Sequence, residues 1–487
     1  MTPMKLETLL PALPEAQCRG PVNREIAGLA CDSRQVRPGW LFVAIPGSKL
    51  DGSAFIEDAV TRGAVAVVAQ SFCPQKDVTA IRVPNAREAL ARLAAAFYGN
   101  PSRRLRVAGV TGTNGKTTVA YMMRDILEAA GQPCGLIGTV EYRLGNRVIP
   151  ASRTTPDSLS LQSYLAQMLQ NGCTAAVMEV SSHALDQERA WGIAFDAALF
   201  TNLTLDHLDY HRTMEAYYEA KRKLFMALGR EGKAASAIVN IDDPYGRRLA
   251  ADPAVKADVI SCGRSPDALV RAEEVRLSAS GTAFRAVTPW GTADGSLRLL
   301  GAYNIANALA ALAACCALGV PLDAALQRLA RMKAVPGRLE EVPCTRGFKV
   351  FVDYAHTDDA LVNVLQTLRE ITAGRLIVVF GCGGNRDKTK RPKMGAAAGR
   401  LADFSVLTSD NPRTEDPLAI LEQIRAGLGD ARHEVVPDRA EAIGRALGMA
   451  AKGDIVLIAG KGHETFQEFD NRVIPFDDRE VAAEWLS

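Results

Sequence analysis

The segment Leu105–Thr118, LRVAGVTGTNGKTT, constrains the fold of this chain more than any other part of the sequence. An apolar stretch typical of a buried strand runs into a glycine-rich loop, which ends at Gly115-Lys116-Thr117. After the loop, apolar residues recur with the 3.6-residue period of a helix, which is predicted to end at Gly131. These residues are Val119, Met122, Met123, Ile126 and Leu127. The segment therefore predicts a strand, a tight loop and a helix whose first turn lies under the loop.

Phosphate is the ligand that such a loop favours. The unpaired N–H groups at a helix N-terminus and the positive end of the helix dipole attract an anion. Lys116 can reach terminal phosphoryl oxygens, and the Thr117 hydroxyl can ligate Mg²⁺. The general motif has glycine five residues before Gly115, where this chain has Val110, so a strand-to-helix turn with chance glycines is the alternative interpretation. We expect ATP to bind at this loop.

Composition limits the classes of protein and partner. The chain has 487 residues, 48% of them hydrophobic, which at about 150 residues per domain predicts three domains. Lysine and arginine number 57 against 55 acidic residues, so the net charge of +2 provides no broad surface for nucleic acid, and a small-molecule substrate is expected. The ten cysteines include no CxxC pair, which favours reduced thiols.

No targeting or membrane segment is predicted. The N-terminal stretch MTPMKLETLLPALPEAQ lacks a basic region followed by an apolar core, so it is unlike a secretory signal. The most apolar internal stretch, Ala308–Val320, is too short to span a bilayer and is predicted to be a buried helix. We therefore expect a cytoplasmic protein that binds no membrane.

Turn-forming residues at Asn100-Pro101-Ser102 and Val335-Pro336-Gly337 divide the chain into three predicted domains: 1–103, 104–335 and 336–487. The first is predicted to be a small mixed α/β unit, with strands at Trp40–Ile45 and Ala64–Ala69. In the other two, strands alternate with amphipathic helices, which predicts parallel sheets covered on both faces. The predicted strands are Leu105–Val110, Ala175–Met178 and Ala197–Phe200 in the second domain, and Lys349–Val352, Leu376–Phe380, Phe404–Leu407 and Ile455–Ala459 in the third.

Ligands of such sheets bind at the C-terminal ends of the strands. The third domain has polar or glycine-rich loops at those positions, which predicts a second lined cleft: Asp353–His356, Gly381–Asp387, Asp410–Arg413 and Gly460–Glu464. Five of the six histidines also fall in loops of this kind, namely His183, His207, His211, His356 and His463.

Glu179 ends a predicted strand beside the phosphate loop, where a second Mg²⁺ ligand is needed. A solvated acid at the end of a strand is the alternative interpretation.

His207 and His211 are four residues apart and could share one face of a helix. Leu208 stands where a zinc protease has glutamate, and no third ligand is evident. We therefore favour one imidazole joining Glu179 at Mg²⁺. Lys221, in a predicted helix, would by itself be interpreted as a surface lysine.

Eleven motifs together resemble the Mur ligases of peptidoglycan synthesis, in particular those that add diaminopimelate. They occur in the family's order along nearly the whole chain: CDSRQVRPGWLFVAIPG, GVTGTNGKTT, MEVSSHALDQER, TNLTLDHLDYH, YEAKRKLF, GAYNIANALAA, PGRLE, DYAHT, GCGGNRDKTKRP, DNPR and GKGHE. The resemblance implies an N-terminal mixed α/β UDP-binding domain, a central P-loop ATPase-like parallel sheet and a C-terminal Rossmann-like domain. It also implies a monomeric enzyme that activates a carboxylate as an acyl phosphate.

The resemblance assigns the nucleotide and metal ligands by motif. ATP would contact Gly112, Thr113, Asn114, Gly115, Lys116, Thr117, Thr118, Asn304, Arg338 and Asp353. Mg²⁺ would be held by Thr117, Glu179, His207 and Lys221, and Lys116, Lys221, Glu179 and His207 would be catalytic. The matching lysine of the family carries a CO₂-derived carbamate (N6-carboxylysine), which turns Lys221 into an anionic metal ligand.

The other two substrates are also assigned by motif. UDP-MurNAc-L-Ala-D-Glu would contact Ser33, Ser48, Thr154, Thr155, Ser181, Gln187 and Arg189, although Ser48 stands where some relatives have histidine. The resemblance places meso-diaminopimelate at Arg386, Asp410, Asn411, Pro412, Arg413, Gly460 and Glu464. Arg413 would grip the distal carboxylate, which lysine lacks, while Asp410 and Glu464 would receive the distal ammonium.

Three alternatives and one departure from the family's usual sequence remain at this stage. DNPR could be a helix-capping turn before Leu418. Asp358 replaces the family's usual proline and is expected to favour the first helical turn through the dipole. A folylpolyglutamate synthetase-like ligase would share the ATP chemistry but not the N-terminal domain or DNPR. A nucleotide-dependent switch or binding protein without ligase activity is an alternative of another class; a GTPase switch would need a guanine-specific NKxD motif, which the sequence lacks.

Overall fold

The structure, a computed structural model, describes residues 3–47, 51–72, 77–230, 232–278, 281–332, 334–470 and 472–487. Within these residues the strands form three main sheets in successive parts of the chain, which we call the first, central and third units. The predicted α/β class with parallel sheets is confirmed. The domain boundaries after residues 103 and 335 stay predictions. In the described residues, no helix is long and apolar enough to cross a membrane.

The strands of the first unit are β1 (Met4–Lys5), β2 (Gln17–Arg19), β3 (Glu25–Ile26), β4 (Gly28–Ala30), β5 (Trp40–Val43), β6 (Ala64–Ala69) and β7 (Thr79–Arg82). β4 to β7 are parallel neighbours in sequence order, β2 joins β7 in antiparallel orientation, and β1 pairs with β3. The helices are α1 (Leu6–Leu9), α2 (Ile56–Thr61) and α3 (Ala86–Phe97). α3 begins where the Asn85 side chain accepts hydrogen bonds from two backbone N–H groups.

The strands of the central unit are β8 (Arg106–Thr111), β9 (Cys134–Ile137), β10 (Glu141–Leu144), β11 (Arg147–Pro150), β12 (Ala175–Glu179), β13 (Ala197–Phe200), β14 (Ser236–Asn240), β15 (Asp258–Gly263), β16 (Val270–Ser278), β17 (Gly281–Thr288) and β18 (Gly291–Leu297). They form one sheet in the order β11-β10-β9-β12-β8-β13-β14-β15-β16-β17-β18, parallel from β9 to β16. Because β8 lies between β12 and β13, the loops after these three strands meet at one edge of the sheet.

Helices cover both faces of the central sheet: α4 (Lys116–Ala129), α5 (Ser158–Gln170), α6 (Ser182–Asp186), α7 (Leu208–His211), α8 (Met214–Met226), α9 (Pro244–Ala250), α10 (Tyr303–Ala317) and α11 (Leu322–Arg331). α4, α10 and α11 pack in one buried apolar cluster, and α5, α8 and α9 in another on the opposite face. The predicted buried helix at Ala308–Val320 is confirmed, since it lies largely in α10 and residues 308–316 are all buried.

The strands of the third unit are β19 (Glu340–Val342), β20 (Lys349–Asp353), β21 (Leu376–Phe380), β22 (Phe404–Leu407), β23 (His433–Val435), β24 (Ile455–Ala459), β25 (Phe466–Phe469) and β26 (Arg472–Pro475). The sheet has the order β19-β20-β24-β21-β22-β23 and is parallel except for β19, while β25 and β26 form a hairpin. The helices are α12 (Asp358–Ile371), α13 (Lys390–Leu401), α14 (Pro417–Leu428), α15 (Arg439–Met449) and α16 (Asp478–Leu486).

Most predicted strands agree with the observed ones to within one residue, and five have the observed bounds: Ala64–Ala69, Ala197–Phe200, Leu376–Phe380, Phe404–Leu407 and Ile455–Ala459. The range Trp40–Ile45 is wrong at its end, because β5 stops at Val43 and the Ile45 carbonyl turns to accept a bond from Gly52. Asp358 is the first residue of α12, behind a Thr357 side chain that caps the helix. That start agrees with the expectation for Asp358.

A buried ion pair supports the loops at the C-terminal edge of the third sheet. Arg439 of α15 donates two hydrogen bonds of 2.7 Å to the Asp478 carboxylate of α16, and neither side chain is exposed. A further Arg439 donor reaches the Ala459 carbonyl at 3.0 Å. The pair therefore ties two helices to the end of β24.

We expect Arg439→Met to destabilise the third unit by about 3–5 kcal/mol, because it leaves Asp478 as an uncompensated buried charge. The double variant Arg439→Met/Asp478→Leu should lose clearly less unfolding free energy, since both charges are removed. The measurement is urea unfolding followed by the fluorescence of Trp485, which packs on Gly444 of α15, with the other three tryptophans replaced by phenylalanine. Equal losses in the single and double variants would contradict this account.

Candidate active site

The phosphate loop lies at the point where β8 ends and α4 begins. Gly112 and Gly115 have φ angles of 147° and 88°, and a Cβ atom would lie 1.8 Å from Thr201 Oγ1 at the first and 2.4 Å from Asn307 Oδ1 at the second. Both positions therefore require glycine. The Asn114 N–H donates to Asn202 Oδ1 at 2.9 Å, so the loop after β13 holds the phosphate loop in place.

Two lysines, Lys116 half-buried and Lys221 buried, donate hydrogen bonds to one carbonyl oxygen of this loop. Lys116 Nζ donates to the Gly112 carbonyl at 3.0 Å and to the Thr113 carbonyl at 2.7 Å. Lys221 Nζ, from α8, donates to the same Gly112 oxygen at 2.8 Å. Burial lowers the pKa of both lysines, and the Lys116 charge lowers the pKa of Lys221 further. The surface lysine that the isolated helix suggested for Lys221 is wrong, since 1% of this residue is exposed.

Glu179 lies at the end of β12, fully buried and next to the first turn of α4. Its carboxylate accepts hydrogen bonds from Thr117 Oγ1 at 3.0 Å, the Thr139 N–H at 2.8 Å and Thr139 Oγ1 at 2.9 Å. The predicted placement of Glu179 beside the phosphate loop is confirmed. A solvated strand-end acid is excluded by its burial.

The donor set around Thr117 fits magnesium better than zinc. A hydroxyl and one carboxylate, both oxygen donors, lie within hydrogen-bond distance of each other, and Mg²⁺ is typically held by one or two carboxylates together with substrate phosphates and water. In the described residues no group of three His, Cys, Asp or Glu side chains could hold a metal ion, so nothing there matches a closed zinc site.

Three imidazoles cluster beside the lysines. The ring centroids of His183 and His207 lie 4.9 Å apart, and those of His183 and His211 5.4 Å apart. Burial, above all, lowers the pKa of His207 to about 3 and that of His211 to about 4. His211 Nε2 bonds to the Ser182 hydroxyl at 2.9 Å. His211 is thus engaged in a structural bond, while the neutral His207 ring remains a candidate ligand.

A cavity of about 260 Å³ opens beside the phosphate loop, between the central and third units. Asn304, Arg338 and Asp353 all line it, as do the phosphate-loop residues from Asn114 to Thr118 other than Lys116. The third unit reaches the loop directly: Arg338 Nη2 donates to Thr117 Oγ1 at 3.2 Å, and Asn114 Nδ2 donates to Asp359 Oδ2 at 2.8 Å. The structure therefore brings all the predicted nucleotide residues to one place.

The predicted muramoyl-dipeptide residues of the central unit also lie together, around the end of β12. Thr154 Oγ1 is 3.1 Å from Thr139 Oγ1. Thr155 Oγ1 donates to the Glu179 carbonyl and accepts from the Ser181 N–H, while Arg189 donates to the Thr155 carbonyl and to Gln187. Among described residues, no hydrogen bond joins Ser33 of the first unit to this cluster. Ser48 lies outside the described residues.

The predicted amino-acid residues converge at the C-terminal edge of the third sheet. Asn411 Nδ2 donates to Glu464 Oε2 at 2.9 Å, and a Cβ atom at Gly460 would lie 2.7 Å from Asp410 Oδ2. Asn411 of DNPR therefore contacts Glu464 of the GKGHE motif, and the cap of the following helix is Asp416 rather than a DNPR residue.

Arg413 is more constrained than the sequence indicated. It has a left-handed backbone with φ of 55°, its Nε donates to Glu468 at 2.9 Å, and its Nη1 donates to the carbonyl of Gly384, which packs on Pro412. Arg386 is exposed and makes no hydrogen bond or ion pair with any described residue.

Sequence reasoning missed several residues of the site. Thr139, Asn202 and Asp359 lie on loops far apart in sequence, and only the fold places them against Glu179 and Asn114. Lys461 is different, because it stands inside the GKGHE motif. Its position between the predicted site residues Gly460 and Glu464 was the signal that could have identified Lys461.

A curated protein of Geobacter metallireducens, named UDP-N-acetylmuramoyl-L-alanyl-D-glutamate–2,6-diaminopimelate ligase, is 47% identical over 99% of this chain and 98% of its own length. The chain belongs to the Mur ligase family. Its residues 25–98, 110–315 and 337–462 match, in turn, "Mur ligase family, catalytic domain", "Mur ligase middle domain" and "Mur ligase, glutamate ligase domain". As a Mur ligase, the chain is an ATP-dependent ligase.

Two further comparisons cover almost the full length of this Mur ligase. A protein of the same name from Geobacillus thermodenitrificans is 48% identical over 98% of both chains. A solved structure of a UDP-N-acetylmuramoyl-L-alanyl-D-glutamate–2,6-diaminopimelate ligase has a TM-score of 0.70 at 32% identity, covering 100% of this chain and 99% of that one. The three-unit architecture is therefore that of the family.

We expect Gly112→Ala to lower kcat/KM for ATP about 100-fold, the loss typical of positioning groups displaced by about 1 Å. The added methyl would collide with Thr201 Oγ1, so the loop must shift. Gly131→Ala, at the other end of α4, is the matched control, because its φ is also positive but nothing lies within 4 Å. Steady-state kinetics with varied ATP test this, and equal behaviour of the two variants would contradict it.

Proposed function

We propose that this chain joins meso-diaminopimelate to the D-glutamyl side-chain carboxylate of UDP-MurNAc-L-Ala-D-Glu, with conversion of ATP to ADP and orthophosphate. The observation that carries the proposal is the direct contact of the phosphate loop with the third unit, through Arg338 on Thr117 and Asp359 on Asn114, since that unit also carries the predicted amino-acid residues. The names of the full-length relatives support the same reaction.

The chemistry requires two anions to approach each other. A carboxylate is a poor electrophile, so its oxygen first takes the γ-phosphoryl group of ATP, which releases ADP and leaves an acyl phosphate. The amine of diaminopimelate then attacks the acyl carbon, a proton leaves the nitrogen, and the tetrahedral adduct expels orthophosphate. Lys116, whose ammonium now bonds loop carbonyls, would exchange these for phosphoryl oxygens and offset the repulsion.

We assign the residues of the central unit accordingly. The backbone of Gly112–Thr118 would hold the phosphates at the N-terminus of α4. Thr154, Thr155, Ser181, Gln187 and Arg189 would hold the muramoyl dipeptide beside Glu179, with its carboxylate toward the loop. Ser33 and Ser48 of the first unit would contact the UDP end. The nucleotide would be gripped further by Asn304, Arg338 and Asp353, which line the cavity.

Mg²⁺ would be held by Thr117, Glu179, His207 and a carbamate on Lys221. Bound there, the ion would screen the charge of the phosphoryl oxygens. Lys221 is buried and forms no ion pair with a described residue, and its Nζ donates to the Gly112 carbonyl and lies 4.6 Å from the Tyr217 ring centroid. Burial and the Lys116 charge lower its pKa, against a smaller opposing effect of Asp206, and a neutral amine favours the carbamate. A neutral amine adds to CO₂ with loss of one proton, and the product is an anion.

Arg386, Asp410, Asn411, Pro412, Arg413, Gly460 and Glu464 would bind diaminopimelate. The guanidinium of Arg386 and the remaining N–H donors of Arg413 would bind the carboxylates of diaminopimelate. Asp410 and Glu464 would bind its distal ammonium. L-lysine lacks the distal carboxylate, so it would leave these arginine donors unpaired. A folylpolyglutamate synthetase-like ligase is disfavoured because the first unit and this charged pocket would have no use in it.

Cytoplasmic location and a monomeric state belong to the proposal as well. A UDP-linked precursor and ATP are intracellular substrates, and the described cysteines are all free thiols, which supports a reducing compartment.

Orthophosphate release should require ATP, UDP-MurNAc-L-Ala-D-Glu and meso-diaminopimelate together, with L-lysine at least about 100-fold poorer in kcat/KM, as expected where a site's charged donors lose their partner. A malachite-green assay with mass spectrometry of the muramoyl product measures this. Preference for L-lysine, or release that needs no amine acceptor, would contradict the proposed function.

Replacing Arg413 by methionine should raise KM for meso-diaminopimelate about 10- to 100-fold, since hydrogen bonds to charged groups contribute about 1.5–3 kcal/mol. KM for ATP should not change. Arg425→Met, an exposed arginine of α14 paired with Glu422, is the matched control. If the two variants give the same KM for diaminopimelate, Arg413 does not bind that substrate.

Lys221→Ala should lower kcat about 100-fold or more, because it removes a group that stabilises charge in the reaction. Added formate or acetate should restore part of the rate by replacing the carbamate. Lys223→Ala, an exposed position of the same helix paired with Asp186, should keep the wild-type rate. Turnover that survives in Lys221→Ala would exclude the carbamate role.

A further inference from the structure

Lys461 is a fully buried cation inside the amino-acid pocket. It follows β24 in the GKGHE motif, and none of its side chain is exposed. Nζ donates to Asn411 Oδ1 at 3.1 Å and to Glu464 Oε2 at 3.0 Å, and it lies 5.4 Å from the ring centroid of Phe466. Burial of an ammonium is costly unless it is paired and hydrogen-bonded, so this arrangement calls for an explanation.

The contacts of Lys461 fix the two residues that frame the pocket. Asn411 Oδ1 accepts a hydrogen bond from Lys461 Nζ, and Asn411 Nδ2 donates to Glu464 Oε2 at 2.9 Å. Lys461 Nζ donates to that same Glu464 oxygen. The three side chains thus form a closed triangle. Glu464 Oε1 makes no hydrogen bond with a described residue, so the triangle holds Glu464 with one oxygen available to a ligand.

The charges of the pocket lead to the same conclusion. Asp410 and Glu464 are two carboxylates and Lys461 is one cation, while Arg439 is matched by Asp478 and Arg413 by Glu468. Apart from the exposed Arg386, which is left for a ligand carboxylate, the balance is one negative charge, which suits a single ammonium. Without Lys461 the pocket would hold two carboxylates against one ligand cation, and like charges in a buried site resist joint ionisation.

We propose that Lys461 is a positioning and specificity-determining residue for the amine substrate: by holding Asn411 and Glu464 and by compensating one of two carboxylates, buried Asp410 and half-buried Glu464, it leaves a pocket matched to one distal ammonium. The inference rests on the proposed function and goes beyond it, because Lys461 acts through its neighbours rather than on the reacting atoms.

The electrostatics of Asp410 supply a readout. Burial raises the pKa of Asp410, but Lys461, Arg439 and the Asn411 N–H outweigh it, so the pKa lies below its ordinary value. The other titratable groups facing Asp410 are His356, Cys382 and Tyr354. Burial lowers the pKa of His356 to about 4, but its charged neighbours do not include Lys461, so its contribution should be the same with and without Lys461.

The test uses the full-length enzyme with Lys461→Met, Glu464→Gln and the double variant, and Lys452→Met as an exposed control. Lys461→Met should raise KM for meso-diaminopimelate about tenfold, as for one lost charged hydrogen bond. KM for ATP and for the muramoyl dipeptide should stay at wild-type values. The acid limb of kcat/KM for diaminopimelate should move to higher pH, because loss of the cation raises the pKa of Asp410.

The double variant tests whether Lys461 acts through Glu464. Its rise in KM should be smaller than the product of the two single effects, since the pair is removed as a unit. If Lys461→Met does not fold, the test compares the double variant with Glu464→Gln alone. The double variant removes both members of the pair and so leaves neither unpaired. The acid limb of kcat/KM for the double variant should still lie at higher pH than that of Glu464→Gln.

Three results would overturn the inference. Lys461→Met could keep the wild-type KM and acid limb, all three KM values could rise together, or the single effects could multiply in the double variant. Each of these leaves the proposed function intact if the wild type still releases phosphate with diaminopimelate. A wild type without that activity would overturn the proposed function, and this inference with it.

Discussion

Two lysine amines on one carbonyl oxygen form the arrangement on which the site depends. Nζ of Lys116, which is half-buried, and Nζ of Lys221, which is buried, lie 3.0 and 2.8 Å from the Gly112 oxygen. Two positive charges at this spacing are costly in a protein interior, and the cost falls when Lys221 is neutral or carries the proposed carbamate and when anions bind beside Lys116. Glu179 accepts a hydrogen bond from Thr117 in the first turn of α4, and the Asp206 charge acts on both lysines. Lys116 and the N–H groups at the start of α4 remain for further anions, which in the proposed reaction are the phosphoryl group and the carboxylate.

Sheet topology explains how these groups meet. β8 lies between β12 and β13, so the ends of three strands deliver the phosphate loop, Glu179 and Asn202 to the same edge of the central sheet. The third sheet presents its own C-terminal edge to this one, and contacts from Arg338 and Asp359 bridge the two. Ligands of parallel sheets bind at these edges, so under the proposed function an activated carboxylate and an amine would meet between the two sheets.

The sequence predicted what is local and missed what is distant. Strand–loop–helix periodicity located β8 and α4, and the strand-end position of Glu179 predicted its place, because these depend on neighbours along the chain. Thr139 and Asp359 carry no local signal, since their roles arise only when loops from different elements come together. Arg413 shows the same limit: its residue type indicated a carboxylate ligand, but its left-handed backbone and its bond to Glu468 depend on the folded hairpin.

Buried lysines serve opposite purposes at the two ends of the cleft. Lys116 and Lys221 lie where acids are few, and burial lowers the pKa values of both. Lys116 is available to phosphate, whereas Lys221 would carry the proposed carbamate. Lys461 is surrounded by Asp410, Asn411 and Glu464, so its charge is already used. The first arrangement attracts anions and the second limits how many cations are accepted. A ligase that must bind several anions and one specific diamino acid needs both, and the difference lies in the partners of each lysine rather than in lysine itself.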